Sequence, residues 1–319
     1  MTCIRCKHNT AYKFGTYGKR RIQRYRCHSC KATFADAPAK TLGRHYTDID
    51  RAAKVLSLML EGMSIRAISR ITEMDKNTVM SLMVDAGEHC RAVFDRMVRG
   101  IRPRFVQADE IWSYVGCHGR RLRSGSPAEW GDAYTWFALD SDTKMVLSFH
   151  LGARNTVNAF EFMRDLSSRT LGRFQLTTDA LRSYVPAVEE FYGADIDFAQ
   201  ITKIFSKSGD GGPEWYSNHG HVVAVVPRVR AGNPSFRHIS TSHIERSNLS
   251  LRMHLRRFTR LTNAHSKKLA NHKAAISLYM AWYNFCRTHS TIRVTPAMEA
   301  GLADHPWTVQ ELLSAPVHA

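Results

Sequence analysis

Apolar residues recur at helical spacing along the first third of the chain. Ala53, Leu56 and Leu60, with Val55 and Met59 beside them, make one stripe that Gly62 ends. Ser64 then caps a shorter helix carried by Ile65, Ile68 and Ile71, and after a turn the pattern restarts behind Asp75 with Val79, Leu82 and Met83 facing inward. Two short helices around a tight turn form a helix-turn-helix pattern. Lys76, Asn77, Thr78 and Ser81 open its second helix, where side chains can meet base edges and phosphates in a major groove. Packing of three helices with no role at nucleic acid is the alternative.

From about residue 104 the period shortens to that of strands. "RFVQADEIWSYVG" reads as one strand, and "YTWFALDSDTKMVLSFHLG" as two joined by an Asp140-Ser141-Asp142 turn. "NTVNAFEFMRDLSSRTL" follows as a helix capped by Asn155 with Phe160, Met163 and Leu166 inward. "GRFQLTTD" returns as a short strand, and "ALRSYVPAVEEFYG" as a helix with a break at Pro186. Three strands, a helix, a strand and a helix predict a mixed sheet with helical cover, an α/β class in a multidomain chain.

Charge narrows the partner. The 319 residues hold 45 Lys and Arg against 28 Asp and Glu, a net +17 with pI near 9.8, which suits a polyanion such as nucleic acid. Membrane phosphate or an acidic protein would also satisfy that charge. The first twenty residues lack an apolar signal segment, and runs such as "HVVAVVP" and "ISLYMAW" fall short of the roughly 20 residues that span a bilayer. The expected location is the cytoplasm, with no membrane partner. Scattered Cys90, Cys117 and Cys286 suit a reducing compartment and are expected as buried small apolar residues.

The other four cysteines come as two Cys-x-x-Cys pairs, Cys3 with Cys6 and Cys27 with Cys30. Each turn can present two thiolates to one tetrahedral ion, and the stretch between can return as a hairpin, so a structural zinc ribbon is expected over 1–35. Four unligated thiols in a basic tail are the rival, and His8 and His28 are expected as bystanders. Tyr12, Phe14, Tyr17 and Tyr25 lie among the cations of this segment, a mixture suited to a DNA backbone contact or, more simply, to a solvated basic face.

Two acids occupy sheet positions where a metal could bind: Asp109 within the first strand and Asp179 at the end of the fourth. Asp140 and Asp142 are more simply turn residues. Glu110 alternates to the other face from Asp109, and alternation alone does not say which acid faces the site. Divalent magnesium takes oxygen ligands, and paired ions can serve displacement at phosphorus, so a third carboxylate is wanted. From Trp215 to Met298 the only acid is Glu245, among thirteen Lys and Arg. On a helix starting near residue 242, Ile244, Leu251, Leu255 and Phe258 form a stripe, while Glu245, Asn248, Arg252 and Arg256 gather about a quarter-turn away. Ser242-x-x-Glu245 also matches a capping box, in which the acid would only satisfy a backbone donor, and Glu245 could equally balance Arg252 or Arg256.

The whole sequence resembles transposases of the insertion sequence one family of bacteria and archaea. The carrying motifs are the two Cys-x-x-Cys pairs, "DEIWSYVG" at 109–116, "TTDALRSY" at 177–184, "ISTSHIERSNLSLRMHLRRFTRLTNAHSKKLANH" at 239–272 and "YNFCRTHSTIRVTPAMEAGL" at 283–302. The resemblance implies a zinc ribbon at 1–35, a linker at 36–46, a helix-turn-helix domain at 47–95, a DDE catalytic domain of ribonuclease-H-like fold at 101–300, and a C-terminal tail with a short helix at 301–319. It implies Asp109, Asp179 and Glu245 as the ligands of Mg2+ or Mn2+, with Arg252 at the basic position that follows the glutamate. Arg256 and Arg257 are expected at DNA. His243 and His254 are expected as DNA contacts or bystanders. The implied activity is metal-dependent cleavage and strand transfer at terminal inverted repeats of double-stranded DNA, by a nucleoid-associated homo-oligomer acting on element ends and target. A non-catalytic DNA-binding regulator and a metal-dependent nuclease without strand transfer are the alternatives. Residues 196–240 match none of these motifs.

Overall fold

The computed structural model describes residues 1–18, 21–35, 42–205, 222–259 and 263–317. They form two compact units, Met1–Asp48 and Ile49–Ala319. Of the expected linker, residues 36–41 lie outside the described ones.

In the first unit β1 (Ala11–Tyr17), β2 (Ile22–Cys27) and β3 (Thr33–Ala35) form an antiparallel sheet in that order. Cys3, Cys27 and Phe34 are buried together, with Cys6, Ala11 and Tyr25 packed against them. Tyr25 stacks on Phe34 at a centroid distance of 5.9 Å. So small a core cannot offset the entropy of ordering the segment, and stability has to come from something besides apolar burial.

The second unit opens with the expected helices. α1 (Ile49–Leu60) buries Ala53, Val55, Leu56, Met59 and Leu60. α2 (Ile65–Thr72) starts at Ser64, whose hydroxyl accepts from the Ala67 N–H, and stops at Glu73 in the left-handed region (φ 52°). α3 (Lys76–Met97) starts at Asp75, whose carboxylate accepts from the Asn77 N–H at 2.8 Å. Ile71 departs from expectation: it is 56% exposed, and Ile68 is the one fully buried residue of that two-turn helix.

The sheet comprises β4 (Phe105–Val115), β5 (Gly131–Asp140) and β6 (Val146–Gly152), then α4 (Thr156–Arg169), β7 (Gln175–Asp179) and α5 (Tyr184–Tyr192). Those are the expected strands and helices, and the turn after Asp140 is closed by hydrogen bonds from Thr143 to its carboxylate. Within α4, Met163 and Leu166 are buried as expected, whereas Phe160 is half-buried and packs edge-on against Phe191. Pro186 does not break α5. The helix begins only at Tyr184, so the proline falls in its first turn, where a missing N–H costs little.

β8 (Asp197–Phe205) and β9 (Val222–Ala231) then extend the sheet to the order β6-β5-β4-β7-β8-β9. β4, β5 and β6 are antiparallel, β4-β7 and β7-β8 parallel, and β8-β9 antiparallel. Pro227 is tolerated because β9 is an edge strand. The chain finishes with α6 (Ser242–His254), α7 (Leu269–Phe285), α8 (Pro296–Glu299) and α9 (Val309–Ser314). Among the described residues no helix is long and apolar enough to cross a membrane.

Of the segment expected as a helix-turn-helix domain at 47–95, residues 49–95 belong to the same compact unit as the sheet. α3 is six turns long and lies against α7 so closely that a Cβ on Gly87 would fall 2.1 Å from the Ala274 carbonyl oxygen. α7 is joined in turn to the sheet by Asn284, wholly buried, whose side chain accepts from Val146 N–H (2.9 Å) and donates to its carbonyl oxygen (2.8 Å). His272, also buried, bridges the Ser113 and Ser266 hydroxyls at 2.9 Å each. Burial drives this imidazole down to about 3, so it is neutral. Of the scattered cysteines Cys90 is buried and Cys117 and Cys286 are half-buried.

Arg169 ties the end of α4 to the end of α3. Its side chain is fully enclosed, donates to Asp165 (2.8 Å) and to the Val98 carbonyl oxygen (3.2 Å), pairs with Asp95 and lies over the Phe94 ring. Replacing it with methionine would leave Asp95 and Asp165 to the more exposed Arg91, which pairs with them at 2.8 and 3.8 Å. Arg169→Met should lower unfolding stability by about 3 kcal/mol, read as the urea midpoint at unchanged slope; an unmoved midpoint would show that Arg91 and solvent satisfy Asp95 and Asp165 without it.

Candidate functional site

In the first unit the Sγ atoms of Cys3, Cys6, Cys27 and Cys30 lie within 4.8 Å of one another. Cys3 approaches Cys30 to 3.6 Å and Cys6 approaches Cys27 to 3.5 Å. A tetrahedral zinc with bonds of about 2.3 Å would space its sulfurs about 3.8 Å apart. The four thiols could therefore hold zinc after a small expansion. Both Cys-x-x-Cys turns close alike: Lys7 N–H donates to the Cys3 carbonyl (3.0 Å) and Lys31 N–H to the Cys27 carbonyl (3.1 Å), with φ of 63° and 58°. The Thr10 hydroxyl, helped by the Cys30 N–H, lowers the Cys27 thiol to about 5, favouring the thiolate that binds metal. His28 stays outside the cluster and packs on Tyr12.

In the second unit the register of two strands sets the acids. Ala108 pairs with Thr178 across the parallel β4-β7 ladder, so the next residues, Asp109 and Asp179, stand side by side. Asp179 pairs onward with Ile201 of β8, and Lys203 lies two residues further on the same face. Gln107, two residues before Asp109 and buried, accepts from the backbone N–H groups of His243 and Ile244 (2.9 and 3.0 Å). Its side chain thus satisfies donors at the first turn of α6, which would otherwise be orphaned. One turn on, Asn248 Nδ2 donates to Asp109 Oδ2 at 2.7 Å, leaving Asn248 Oδ1 buried and unpartnered. These bonds pin α6 along β4 and bring Glu245 to the acids. Asp109, Asp179, Lys203, Thr241 and Glu245 line one cavity of about 300 Å³.

Glu110 is in the same neighbourhood. One of its carboxylate oxygens comes within 4.8 Å of an oxygen of Asp109 and of Asp179 despite strand alternation. The Glu110 side chain is 1% exposed; Arg154 Nε donates to it at 2.6 Å and the Tyr184 hydroxyl at 2.9 Å. Arg154 Nη2 also reaches Asp179 at 3.1 Å. Glu245 is 46% exposed, pairs with Lys203 and accepts from the Thr241 hydroxyl at 2.6 Å. The residue ahead of α6 is Thr241 rather than Ser242, and no capping box forms.

Burial, then the negative charges of Glu110 and Asp179, push Asp109 up to about 7, and burial with Asp179 likewise raises Glu110. Crowded carboxylates with oxygen-only donors and an orphaned amide oxygen beside them could hold a divalent cation. Arg154 and Lys203 supply positive charge to the acids in its absence.

The remaining expected residues are dispersed. Lys76 and Asn77 are exposed on the first turn of α3, while Thr78 and Ser81 are half-buried. Arg252 is half-buried on α6, and Arg256 is exposed in a 3-10 turn that replaces the expected continuation of the helix. Arg257 turns inward: it donates to Ser266 Oγ at 2.7 Å and contacts Met83 Sδ, and burial lowers it to about 10. His254 bonds the Leu60 carbonyl at 2.6 Å, so it joins α6 to the end of α1. Gln107, Glu110, Arg154 and Lys203 carried no signal in the sequence reading except the adjacency of Glu110 to Asp109.

No protein-family profile and no curated protein matches this chain. Among solved structures it is similar to a piggyBac transposase synaptic complex with hairpin DNA, at 9% identity over 87% of this chain and 72% of that one, with a TM-score of 0.36. It is also similar to a Mos1 transposase paired-end complex with left transposon end (13% identity, 51% and 59% covered, TM-score 0.19). A third is the Mos1 strand transfer complex (13% identity, 76% and 77% covered, TM-score 0.22).

The thiol geometry generates one expectation. Protein purified without chelator should carry about one zinc per chain by atomic emission, as expected of a single closed four-thiolate site, and Cys27→Ser should lose most of it. Full zinc retention by that variant would exclude the four-cysteine site.

Proposed function

We propose that this chain is a transposase of the insertion sequence one family, a DDE enzyme that cuts and rejoins phosphodiesters at the ends of its element. The observation that carries this reading is the meeting of Asp109, Asp179 and Glu245, from two adjacent parallel strands and a helix, around one cavity. The six-stranded mixed sheet is in keeping with the ribonuclease-H-like domain that the sequence resemblance implies.

Asp109, Asp179 and Glu245 would hold Mg2+ or Mn2+. Such ions supply activation of the attacking oxygen and stabilisation of the leaving oxygen at phosphorus. Glu110 is fully engaged by Arg154 and Tyr184, and its task in this reading is to hold the Arg154 guanidinium at the edge of the acids. Glu245, more exposed and held by a lysine and a hydroxyl, is the acid able to turn toward the site. Lys203 and Arg154, released from their carboxylates, would face an incoming phosphate, and Arg252 and Arg256 would position the strand.

The helical segment would read the terminal repeats through Lys76, Asn77, Thr78 and Ser81, because sequence is read in grooves while a metal site contacts the backbone. Zinc on Cys3, Cys6, Cys27 and Cys30 would order the first unit for DNA. Two element ends must meet during transposition, so a homo-oligomer on DNA is part of the proposal, as is association with the nucleoid in the cytoplasm.

Incubation of the full chain with pre-cut element ends and a target plasmid separates the candidates. Magnesium-dependent joined products are expected; nicks without joining would identify a nuclease, and binding without either would identify a regulator. Glu245→Gln should retain DNA affinity and lose joining by a factor on the order of 100 or more, and joining at the wild-type rate would remove Glu245 from the site.

A further inference from the structure

The block at 283–302 has no part in the chemistry above, yet its first half lines a cavity of about 510 Å³. Lys144 enters from the turn between β5 and β6, His243 and Arg246 from α6, and Arg287 and His289 from the segment after α7. Hydroxyls of Ser247, Ser250 and Thr291 complete the polar wall, over the buried Tyr283. No carboxylate lines it.

The cavity is distinct from the acid site. His243, Arg246 and Ser250 recur at three- and four-residue spacing and share a face of α6, whereas Glu245, Asn248 and Arg252 share another on nearly the opposite side. Among the described residues no carboxylate pairs with its two arginines, Arg246 and Arg287, while Asp140 and Asp142 act on Lys144, and Asp142 on His243, from outside the cavity. Asp142 is itself engaged by Arg104 at 2.9 Å. Arg287 is held beside the Trp282 and Tyr283 rings at 5.8 and 6.0 Å. Burial, followed by Lys144, Arg287, His243 and Arg246, lowers His289 below the usual imidazole range, so these groups act on one another.

Guanidinium forks, an ammonium and several hydroxyl donors around an acid-free hollow match a tetrahedral oxyanion. The volume lies within the roughly 300–1,000 Å³ of small-molecule pockets, enough for a nucleotide unit as well as an ion. We propose that this cavity is a phosphate subsite, occupied by a backbone phosphate of a DNA strand passing the side of α6 turned away from the acids. The choice of DNA as occupant rests on the proposed function; the phosphate chemistry rests on the cavity alone.

The test uses the full chain and fluorescein-labelled duplex and single-stranded oligonucleotides, with anisotropy followed across a salt series. Arg246→Ala should weaken binding about three- to tenfold and Arg246→Glu more, with Arg246→Lys restoring most of it. Each lost phosphate contact should reduce the log-log salt slope by about 0.9 on duplex. Arg287→Lys, which keeps the charge but loses the planar fork, should fall between wild type and Arg246→Glu. Circular dichroism melting of every variant within a few degrees of wild type excludes a folding effect. Unchanged affinity and slope in Arg246→Glu would overturn the subsite. Failure of the wild type to bind any DNA would overturn the proposed function and the DNA occupant together. In that event a melting-temperature rise with inorganic phosphate that Arg246→Glu abolishes would assign the same chemistry to a free phosphate, and no rise would remove the site altogether.

Discussion

The approach of Glu245 to the other acids depends on two hydrogen bonds accepted by one buried side chain. Gln107 accepts from the N–H groups of His243 and Ile244, and in doing so fixes where α6 begins relative to β4. The β4-β7 register places Asp109 beside Asp179 regardless of α6, but Glu245 lies more than sixty residues further along the chain and reaches them only because this helix starts there. Asn248, one turn on, confirms the alignment by bonding Asp109 directly. A glutamine at position 107 and an asparagine at 248 are thus positioning residues for acids on other elements.

The acids are costly to assemble. Burial first, and then the repulsion of neighbouring acids, disfavours their ionisation, which is why Asp109 is raised to about 7 and Glu110 is raised with it. The chain meets that cost with its own cations: Arg154 spans Glu110 and Asp179, and Lys203 pairs with Glu245. A divalent ion would compete with these side chains for the same oxygens, and under the proposed reading the displaced cations become available to phosphate.

Much of this architecture was legible in the sequence. Helical spacing around Leu56 and Val79, alternation from Phe105 to Val115 and the caps at Ser64, Asp75 and Asn155 all appear as local regularities that the tertiary structure reinforces. The paired cysteines were legible because the Cys-x-x-Cys turn fixes their spacing. The packing of α3 was less so, since nothing local shows that it lies against α7 or that Gly87 is needed for contact with Ala274. β8 and β9 were missed because polar Gln200 and Lys203 interrupt the apolar pattern of the one, and Pro227 that of the other. Arg257 was expected at DNA alongside Arg256; its inward turn toward Ser266 is a tertiary fact. Alternation left open which of Asp109 and Glu110 faces the site, and the structure brings a carboxylate oxygen of each near Asp179.

The central claim is that Asp109 and its neighbours form a cation site. Its most direct measurement is Mn2+ binding to the full chain, followed by electron paramagnetic resonance from pH 5 to 8.5. Because Asp109 must lose its proton to become a ligand, affinity should be level above about 7 and fall by about tenfold per pH unit below it. Asp109→Asn should weaken binding at pH 8 and flatten that dependence. Binding by Asp109→Asn equal to wild type across the range, or no binding by wild type at any pH, would contradict the account.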